Sequence, residues 1–159
     1  MGRLFCGSAK CRRRLYLMRK VILTDTGFWL GLVDTTDQYH DSWLAIAELI
    51  ENNDIIFPWP CLYETISTHL TRRRDRLILF EEFISKPNMI FLDDNIYKSE
   101  ALRQVFLINR ISGRAFSLTD AVIREILKDI NIKINYLITY NAPDFKDICD
   151  QRLVEIISD

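Results

Sequence analysis

The sequence is poor in the features that define several large classes of protein. Its 159 residues include only 5 glycines and 4 prolines, which excludes collagen-like and low-complexity chains. Apolar runs are strand-sized, as in residues 134–138, and none approaches the roughly 18–20 residues needed to cross a bilayer. Because 48% of the residues are hydrophobic, we expect one soluble domain with a sizeable core and no membrane association.

The few cysteines and histidines indicate neither a zinc site nor a catalytic triad. No Cys-x-x-Cys pair occurs, and no histidine stands at zinc-binding distance from a cysteine. We interpret His40 and His69 as surface residues. In the absence of an export signal we expect free thiols and a cytoplasmic location for the four cysteines, which are Cys6, Cys11, Cys61 and Cys149.

Charge is distributed unevenly along the chain. Residues 1–20 hold seven lysines and arginines and no acid, which leaves 14 basic against 22 acidic residues, a net charge of −8, over residues 21–159. A basic leader is typical of a nucleic-acid-binding arm or a targeting peptide. We favour a simpler interpretation, a non-native or disordered extension over 1–17 and a domain over 18–159, because Met18 directly precedes the first strand signal.

Short apolar segments alternate with longer amphipathic ones. The apolar segments predict strands at 21–24, 54–57, 89–92 and 136–139, and a short fifth strand at 153–157. The amphipathic segments predict helices over 41–51, from Pro60 onward, and over 77–84, 94–111 and 117–129. This alternation predicts an α/β fold with one central parallel sheet of four or five strands and helices on both faces.

Four carboxylates stand at or just after the predicted strand ends, where open parallel sheets place their functional crevice. Asp25 ends the first strand, Glu64 follows the second, Asp120 opens a helix, and Asp144 follows the fourth. Each also has a structural interpretation. Asp25 would cap a helix, Asp120 would form a capping box with Ser117, Glu64 would face solvent and Asp144 would stabilise a turn.

Taken together, the four acids indicate a metal site. Carboxylates that converge repel one another and resist ionisation unless a cation lies between them. Since all the candidate ligands are oxygen atoms, we predict Mg²⁺, or Mn²⁺, rather than Zn²⁺ or Cu²⁺.

Four segments in order resemble the motifs of the PIN-domain ribonucleases. They are Val-Ile-Leu-Thr-Asp-Thr at 21–26, Leu-Tyr-Glu-Thr at 62–65, Ser-Leu-Thr-Asp-Ala at 117–121 and Thr-Tyr-Asn-Ala-Pro-Asp-Phe at 139–145. The resemblance spans residues 21 to about 157. It implies a single PIN-like domain that is a Mg²⁺-dependent endoribonuclease acting on RNA, as in the VapC-like toxins of toxin–antitoxin pairs. It also implies a cognate antitoxin and a homodimer.

The resemblance assigns Asp25, Glu64 and Asp120 to the three central acids of the family. Family members differ at the fourth position, which matches either Asp144 or Asn141 here, and we choose Asp144. The acids would hold one or two metal ions, with Glu64 either a ligand or the group that orients the attacking water.

The resemblance also implies polar neighbours for these acids. Thr26, Thr139 and Asn141 are expected to hydrogen-bond a ligand carboxylate or a water molecule. Gly27 departs from the small hydroxyl residue that many members carry two positions after the first aspartate. We expect this departure to weaken one contact and to leave the metal ligands in place.

Candidate RNA contacts are basic. Arg72, Arg73, Arg74 and Arg76 form the densest cluster of the body, and Arg114 and Arg124 flank Asp120. If the helix from Pro60 continues through this cluster, Glu64, Thr68 and Arg72 share one helix face and form a phosphate track. The alternative is a solvated basic helix end. Trp29, Trp43 and Trp59 could stack on bases, but their apolar surroundings favour core or interface packing.

Three other functions compete with the nuclease. A phosphotransfer receiver needs a lysine after a late strand, where this chain has Thr139-Tyr140-Asn141. A haloacid-dehalogenase-type phosphatase needs Asp-x-Asp, where this chain has Asp25-Thr26-Gly27. We discount both. The serious alternative is a non-catalytic PIN-like module that binds RNA or acts as a scaffold, and metal dependence would distinguish it from a nuclease.

Overall fold

Five parallel strands form the centre of the molecule. The computed structural model describes residues 19–113 and 115–158, so the predicted extension 1–17, Cys6, Cys11 and Arg114 lie outside the described residues. Across the sheet the strands run in the order β3-β2-β1-β4-β5. Their bounds are β1 Val21–Thr24, β2 Asp54–Pro58, β3 Met89–Leu92, β4 Tyr136–Ile138 and β5 Glu155–Ile157. All five predicted strands are confirmed, and each pairing is parallel.

Eight helices connect the strands within the described ranges. They are α1 Thr26–Val33, α2 His40–Asn52, α3 Trp59–Thr65, α4 Thr68–Thr71, α5 Arg74–Ile84, α6 Lys98–Ile111, α7 Leu118–Lys128 and α8 Ala142–Arg152. The α8 helix is not predicted by the sequence pattern, since its apolar stripe is only Phe145, Ile148 and Cys149. No helix in the described part of the chain is both long and apolar enough to cross a membrane.

The expectation that the helix from Pro60 continues through the arginine cluster is wrong. The α3 helix ends at Thr65, whose hydroxyl donates to the carbonyl of Cys61, and the chain leaves the helical region at Ile66. A run of β-branched and hydroxyl residues at 65–68 lowers helix propensity at this point. The proposed helix face containing Glu64, Thr68 and Arg72 therefore does not form.

The order of the strands places helices on both faces of the sheet. From β1 the chain steps outward to β2 and β3 through α1–α5, and then crosses back to β4 and β5 through α6–α8. Parallel crossovers are right-handed, so opposite directions of travel put the two groups on opposite faces. Contacts of α6 with α7 and of α7 with α8 agree with this grouping. The direction reverses between β1 and β4, the position at which open α/β sheets bind ligands.

The core explains why the central strands are apolar on both faces. Ile22 and Leu23 of β1 and Leu137 and Ile138 of β4 are fully buried. By contrast, Ile90 of the edge strand β3 is 46% exposed. The strands are thus buried at the switch point and open at the edge.

The tryptophans divide between core and surface. Trp29 and Trp43 are fully buried, which confirms the packing interpretation for both, and the Trp29 indole N–H donates to the Thr24 hydroxyl at 3.0 Å. Trp59 is 37% exposed, with its ring near those of Tyr63 and Phe91. Cys61 and Cys149 are buried free thiols, as predicted for these two cysteines.

Gly27 lies beneath the ring of Tyr140, which follows β4. A Cβ atom at Gly27 would lie 2.4 Å from Cδ2 of Tyr140, well inside van der Waals contact. The aromatic ring therefore occupies the space that a hydroxyl side chain at position 27 would need. Tyr140 thus fills the space at position 27, where the resemblance predicts a small hydroxyl side chain.

We expect Gly27→Ser to lower the free energy of unfolding by about 1–3 kcal/mol, the usual cost of overpacking, measured by urea denaturation. Gly113→Ser is the matched control, because a Cβ at Gly113 meets nothing within 4 Å. Combining Gly27→Ser with Tyr140→Ala should recover part of the loss in a double-mutant cycle. An additive cycle would contradict this steric explanation.

Candidate active site

Asp25 lies at the switch point between β1 and β4. It is the N-cap of α1, and its Oδ1 accepts a hydrogen bond from the Thr26 amide at 2.6 Å. Its Oδ2 accepts from the Thr139 hydroxyl at 2.9 Å. The Asn141 amide donates to the same Thr139 oxygen at 3.0 Å, which turns the hydroxyl hydrogen towards Asp25. The carboxylate is therefore held from both strands, with only 6% of the residue exposed.

Glu64 connects three helices at the same edge of the sheet. It projects from α3, and its Oε2 accepts from the hydroxyl of Thr26 in α1 at 2.8 Å. Its Oε1 accepts from the hydroxyl of Thr119 in α7. Glu64 is exposed, yet both of its carboxylate oxygens have a fixed donor. The interpretation of Glu64 as a side chain that simply faces solvent is therefore incomplete.

Asp120 occupies the first turn of α7 in a capping box. Its amide donates to the Ser117 hydroxyl oxygen at 3.0 Å, and its Oδ2 accepts from the Ser117 hydroxyl at 2.7 Å and from the Ser117 amide at 3.4 Å. The predicted structural role of Asp120 is thus present in full. The same turn contains Thr119, whose hydroxyl donates to Glu64, so the N-terminus of α7 contributes to the carboxylate cluster.

Asp144 lies in the first turn of α8. Burial raises the pKa of Asp120, the Ser117 hydrogen bonds oppose that rise, and the negative charges of Asp144 and Glu64 add to it. Asn141 precedes α8 and is exposed, and its backbone N–H donates to the hydroxyl oxygen of Thr139. Of the two candidates for the fourth position, Asp144 is the one whose charge acts on Asp120.

The three central acids act on one another electrostatically. The pKa of Asp25 is raised from its ordinary value of 3.8 to about 6, chiefly by burial. The hydrogen bonds from Thr139 and Thr26 oppose this rise, and the negative charges of Asp120 and Glu64 contribute to it. Burial and the charge of Asp25 likewise raise the pKa of the Cys61 thiol. The structure therefore brings Asp25, Glu64 and Asp120 into one cluster of negative potential.

The chemistry of these donors fits a hard cation, because every side chain in the cluster offers oxygen and ionised Asp25 would gain from a neighbouring positive charge. The present rotamers serve other partners. The oxygens of Glu64 and Oδ2 of Asp120 accept hydroxyl hydrogen bonds. Across 19–113 and 115–158, no three His, Cys, Asp or Glu side chains form a group that could hold a metal ion.

The arginine cluster is divided between two environments. Arg72 and Arg73 are exposed in the segment that joins α4 to α5, and Arg74 is exposed as the first residue of α5. Arg76 instead pairs with Asp34, the residue that ends α1. Asp34 follows Asp25 by nine residues across α1, so it lies about 13–14 Å from Asp25 along the helix axis. The role of the first three arginines in binding RNA stays a prediction.

Two residues beside the acids carry little signal in the sequence. Thr119 lies in the Ser-Leu-Thr-Asp-Ala motif at 117–121, but the sequence does not connect its hydroxyl to Glu64, because that contact joins residues 55 positions apart. Arg124 of α7 pairs with both carboxylate oxygens of Asp147 at 2.7 and 2.6 Å and donates to the carbonyl of Asp144. Arg124 is the cation that fixes α7 against the start of α8.

Comparisons with known proteins find similarity in structure only. No protein-family model and no curated protein sequence matches the chain. The crystal structure of VapC20 from Mycobacterium tuberculosis, a toxin that cleaves the sarcin-ricin loop, matches with a TM-score of 0.62 at 16% identity, covering 79% of this chain and 94% of VapC20. The structure of VapBC2 from Rickettsia felis, bound to a DNA fragment from its promoter, matches with a TM-score of 0.59 at 15% identity, covering 87% of this chain and 98% of the other.

These matches extend over nearly the whole length of both solved chains. At 15–16% identity they establish the fold. A parallel sheet with helices on both faces is the architecture that the sequence pattern predicts. The protein thus has the PIN-domain α/β fold of the VapC toxins.

Proposed function

We propose that this protein is a metal-dependent endoribonuclease that hydrolyses RNA phosphodiester bonds and is the toxin of a toxin–antitoxin pair. The observation that carries the proposal is the hydroxyl network of the site. Thr139 donates to Asp25, while Thr26 and Thr119 both donate to Glu64. This network gathers negative charge, buried at Asp25 and exposed at Glu64, at the topological switch point of the sheet, where open α/β sheets bind their ligands.

In this proposal Asp25, Asp120 and Asp144 hold Mg²⁺ or Mn²⁺, directly or through water. The cation, when bound, lowers the pKa of a water molecule and neutralises charge on the scissile phosphate. Glu64 orients the attacking water, which its two fixed carboxylate oxygens support. Hydrolysis adds water across one P–O bond and leaves a phosphate monoester and a free hydroxyl group.

The proposed partners are supported by the two structural neighbours. VapC20 cleaves the sarcin-ricin loop, which supports RNA as the substrate here. VapBC2 is a complex bound to promoter DNA, which supports a cognate antitoxin. A homodimer and a cytoplasmic location complete the proposal. Cations at the acids would also reduce the repulsion between RNA and residues 21–159, whose net charge is −8.

A non-catalytic module is the second candidate, and one observation favours it. Asp25 is an N-cap and Asp120 is part of a capping box, so both acids have structural work without any metal. A module of this kind would keep the acids for the stability of α1 and α7. It would neither cleave RNA nor depend on Mg²⁺.

We expect Asp25→Asn to lower the rate of RNA cleavage in Mg²⁺ by at least about 100-fold, the scale on which removal of one charge-stabilising group acts. The measurement is single-turnover cleavage of a mixed RNA panel in Mg²⁺, Mn²⁺ and EDTA. The matched control is Glu155→Gln, which should cleave normally. Glu155 is an exposed acid at the first residue of β5, so it lies at the amino-terminal end of the parallel strands, away from the site. Equal behaviour of all three proteins in all three conditions would favour the non-catalytic module.

The buried charge of Asp25 can be tested without measuring activity. The shift of the Asp25 pKa from 3.8 to about 6 means that ionising this group destabilises the metal-free fold. Wild-type stability should therefore fall as the pH rises from about 4 to above 6, by roughly 3 kcal/mol at most. In EDTA at pH 7.5, Asp25→Asn should melt at a higher temperature than wild type, and the difference should vanish below pH 4.

Adding Mg²⁺ should raise the melting temperature of wild type and leave that of Asp25→Asn nearly unchanged, because binding to the native state stabilises it. Glu155→Gln should respond as wild type does. An equal response of the wild-type and Asp25→Asn proteins would argue against a cation at Asp25.

The hydroxyl of Thr119 should matter through Glu64. We expect Thr119→Val to lower kcat by about 10- to 100-fold, as substitutions that misorient a ligand or base do, with little change in KM. Adding back the hydroxyl with Thr119→Ser should restore much of the rate. A Thr119→Val enzyme with unchanged kcat would show that the Thr119–Glu64 contact has no part in the reaction.

A further inference from the structure

A cavity of about 180 Å³ opens beside the carboxylate cluster, between the end of α6, α7 and the start of α8. Both apolar and charged side chains line it. The principal lining residues are Ile108, Phe116, Pro143, Arg124, Asp144 and Asp147. Asp144 lines the cavity and its charge acts on Asp120, so a group bound here would lie next to the carboxylate cluster.

We propose that this cavity is a subsite for an unpaired guanine base next to the cleaved bond. The inference rests on the proposed ribonuclease function and adds a base specificity to it. The apolar side chains of Ile108, Phe116 and Pro143 suit the faces of a base, and the Arg124–Asp147 ion pair suits its hydrogen-bonding edge.

The charged part of the lining includes the Arg124–Asp147 ion pair, which has further hydrogen-bond donors and acceptors. Arg124 has five N–H groups, and three of them donate to Asp147 and to the Asp144 carbonyl. Each oxygen of Asp147 accepts one of these bonds and has a second lone pair, and the side chain of Asp147 is 60% exposed. The pair is neutral overall, so it suits an uncharged polar group better than a phosphate.

Guanine matches this pair of groups. Its N1–H and N2–H donors face a carboxylate such as Asp147, and its O6 accepts from a guanidinium such as Arg124. Adenine would place the lone pair of N1 against the carboxylate, which is repulsive. Pyrimidines offer fewer matching groups and less area to the apolar walls.

The cavity is built in advance of binding. The Arg124 side chain is only 19% exposed and is fixed by its three hydrogen bonds. Phe116, which also lines the cavity, is fixed by Asn109, whose side chain accepts from the Phe116 backbone amide at 2.9 Å and donates to the Phe116 carbonyl at 2.8 Å. Fixed walls lower the cost of ordering the site around a base.

The test measures binding rather than turnover. Fluorescence anisotropy would compare the affinity of the full-length Asp25→Asn protein for short labelled oligouridylates that carry a single guanosine, inosine or adenosine. We expect the guanosine oligomer to bind about 10- to 100-fold more tightly than the adenosine oligomer, the range for one bidentate base contact. Inosine, which lacks the 2-amino group, should fall between them.

Two further substitutions in the Asp25→Asn background test the cavity itself. Asp147→Asn should reduce the preference for guanosine over adenosine, since it removes an acceptor. Ala115→Phe should fill the cavity while leaving the Arg124–Asp147 pair intact, and should lower the affinity for the guanosine oligomer to that for adenosine. Ala45→Phe, at an exposed position of α2, is the matched control and should bind as the parent protein does. Thermal melting would confirm that each variant folds.

The outcomes separate the two proposals. Equal binding of guanosine and adenosine oligomers by the parent protein, or an equal loss for both in Ala115→Phe, would overturn the guanine subsite. Metal-dependent cleavage alongside that result would leave the ribonuclease proposal standing. Guanosine preference that Ala115→Phe abolishes, in a protein that cleaves no RNA, would support the subsite and overturn the ribonuclease.

Discussion

The burial of one negative charge at the switch point of the sheet governs the rest of the site. Asp25 follows β1 directly, is 6% exposed and has a pKa of about 6. Its carboxylate is tolerated because Thr139, at the end of the neighbouring strand β4, and the Thr26 amide both donate to it. The fold thus concentrates an unfavourable charge at the position where a parallel sheet can present it to a ligand, and two hydrogen bonds offset only part of the cost.

Glu64 makes that charge part of a larger arrangement. Through the hydroxyls of Thr26 and Thr119 it joins α1 and α7, which come from opposite faces of the sheet. Asp120 stays close because the capping box with Ser117 fixes the first turn of α7. The same hydrogen bonds therefore stabilise the helix ends and orient the acids, and structural and chemical roles are not alternatives here.

Patterning along the chain predicted the parts of the structure that depend on local sequence. The five strands and the capping box at Ser117 follow from short apolar runs and from residues three positions apart. The patterns gave wrong or missing results where local signals compete. The α8 helix is not predicted because its sequence is rich in charged residues and contains a proline. The predicted helix face from Glu64 to Arg72 does not form because helix propensity falls at 65–68 and α3 ends there. Tyr140 could not be connected to Gly27 because 113 residues separate them in the chain.

By itself the sequence determined the kind of fold and the order of the four acids, because strands and the carboxylates that follow them can be recognised from residues adjacent in the chain. Only the tertiary structure decided which hydroxyl groups donate to Asp25 and Glu64, and which carboxylate pairs with Arg124. Thr139 reaches Asp25 across 114 residues, Thr119 reaches Glu64 across 55, and Arg124 reaches Asp147 across 23. The physical reason is that a hydrogen bond depends on distance and angle in space, which the order of strands in the sheet sets and the order of residues in the chain does not.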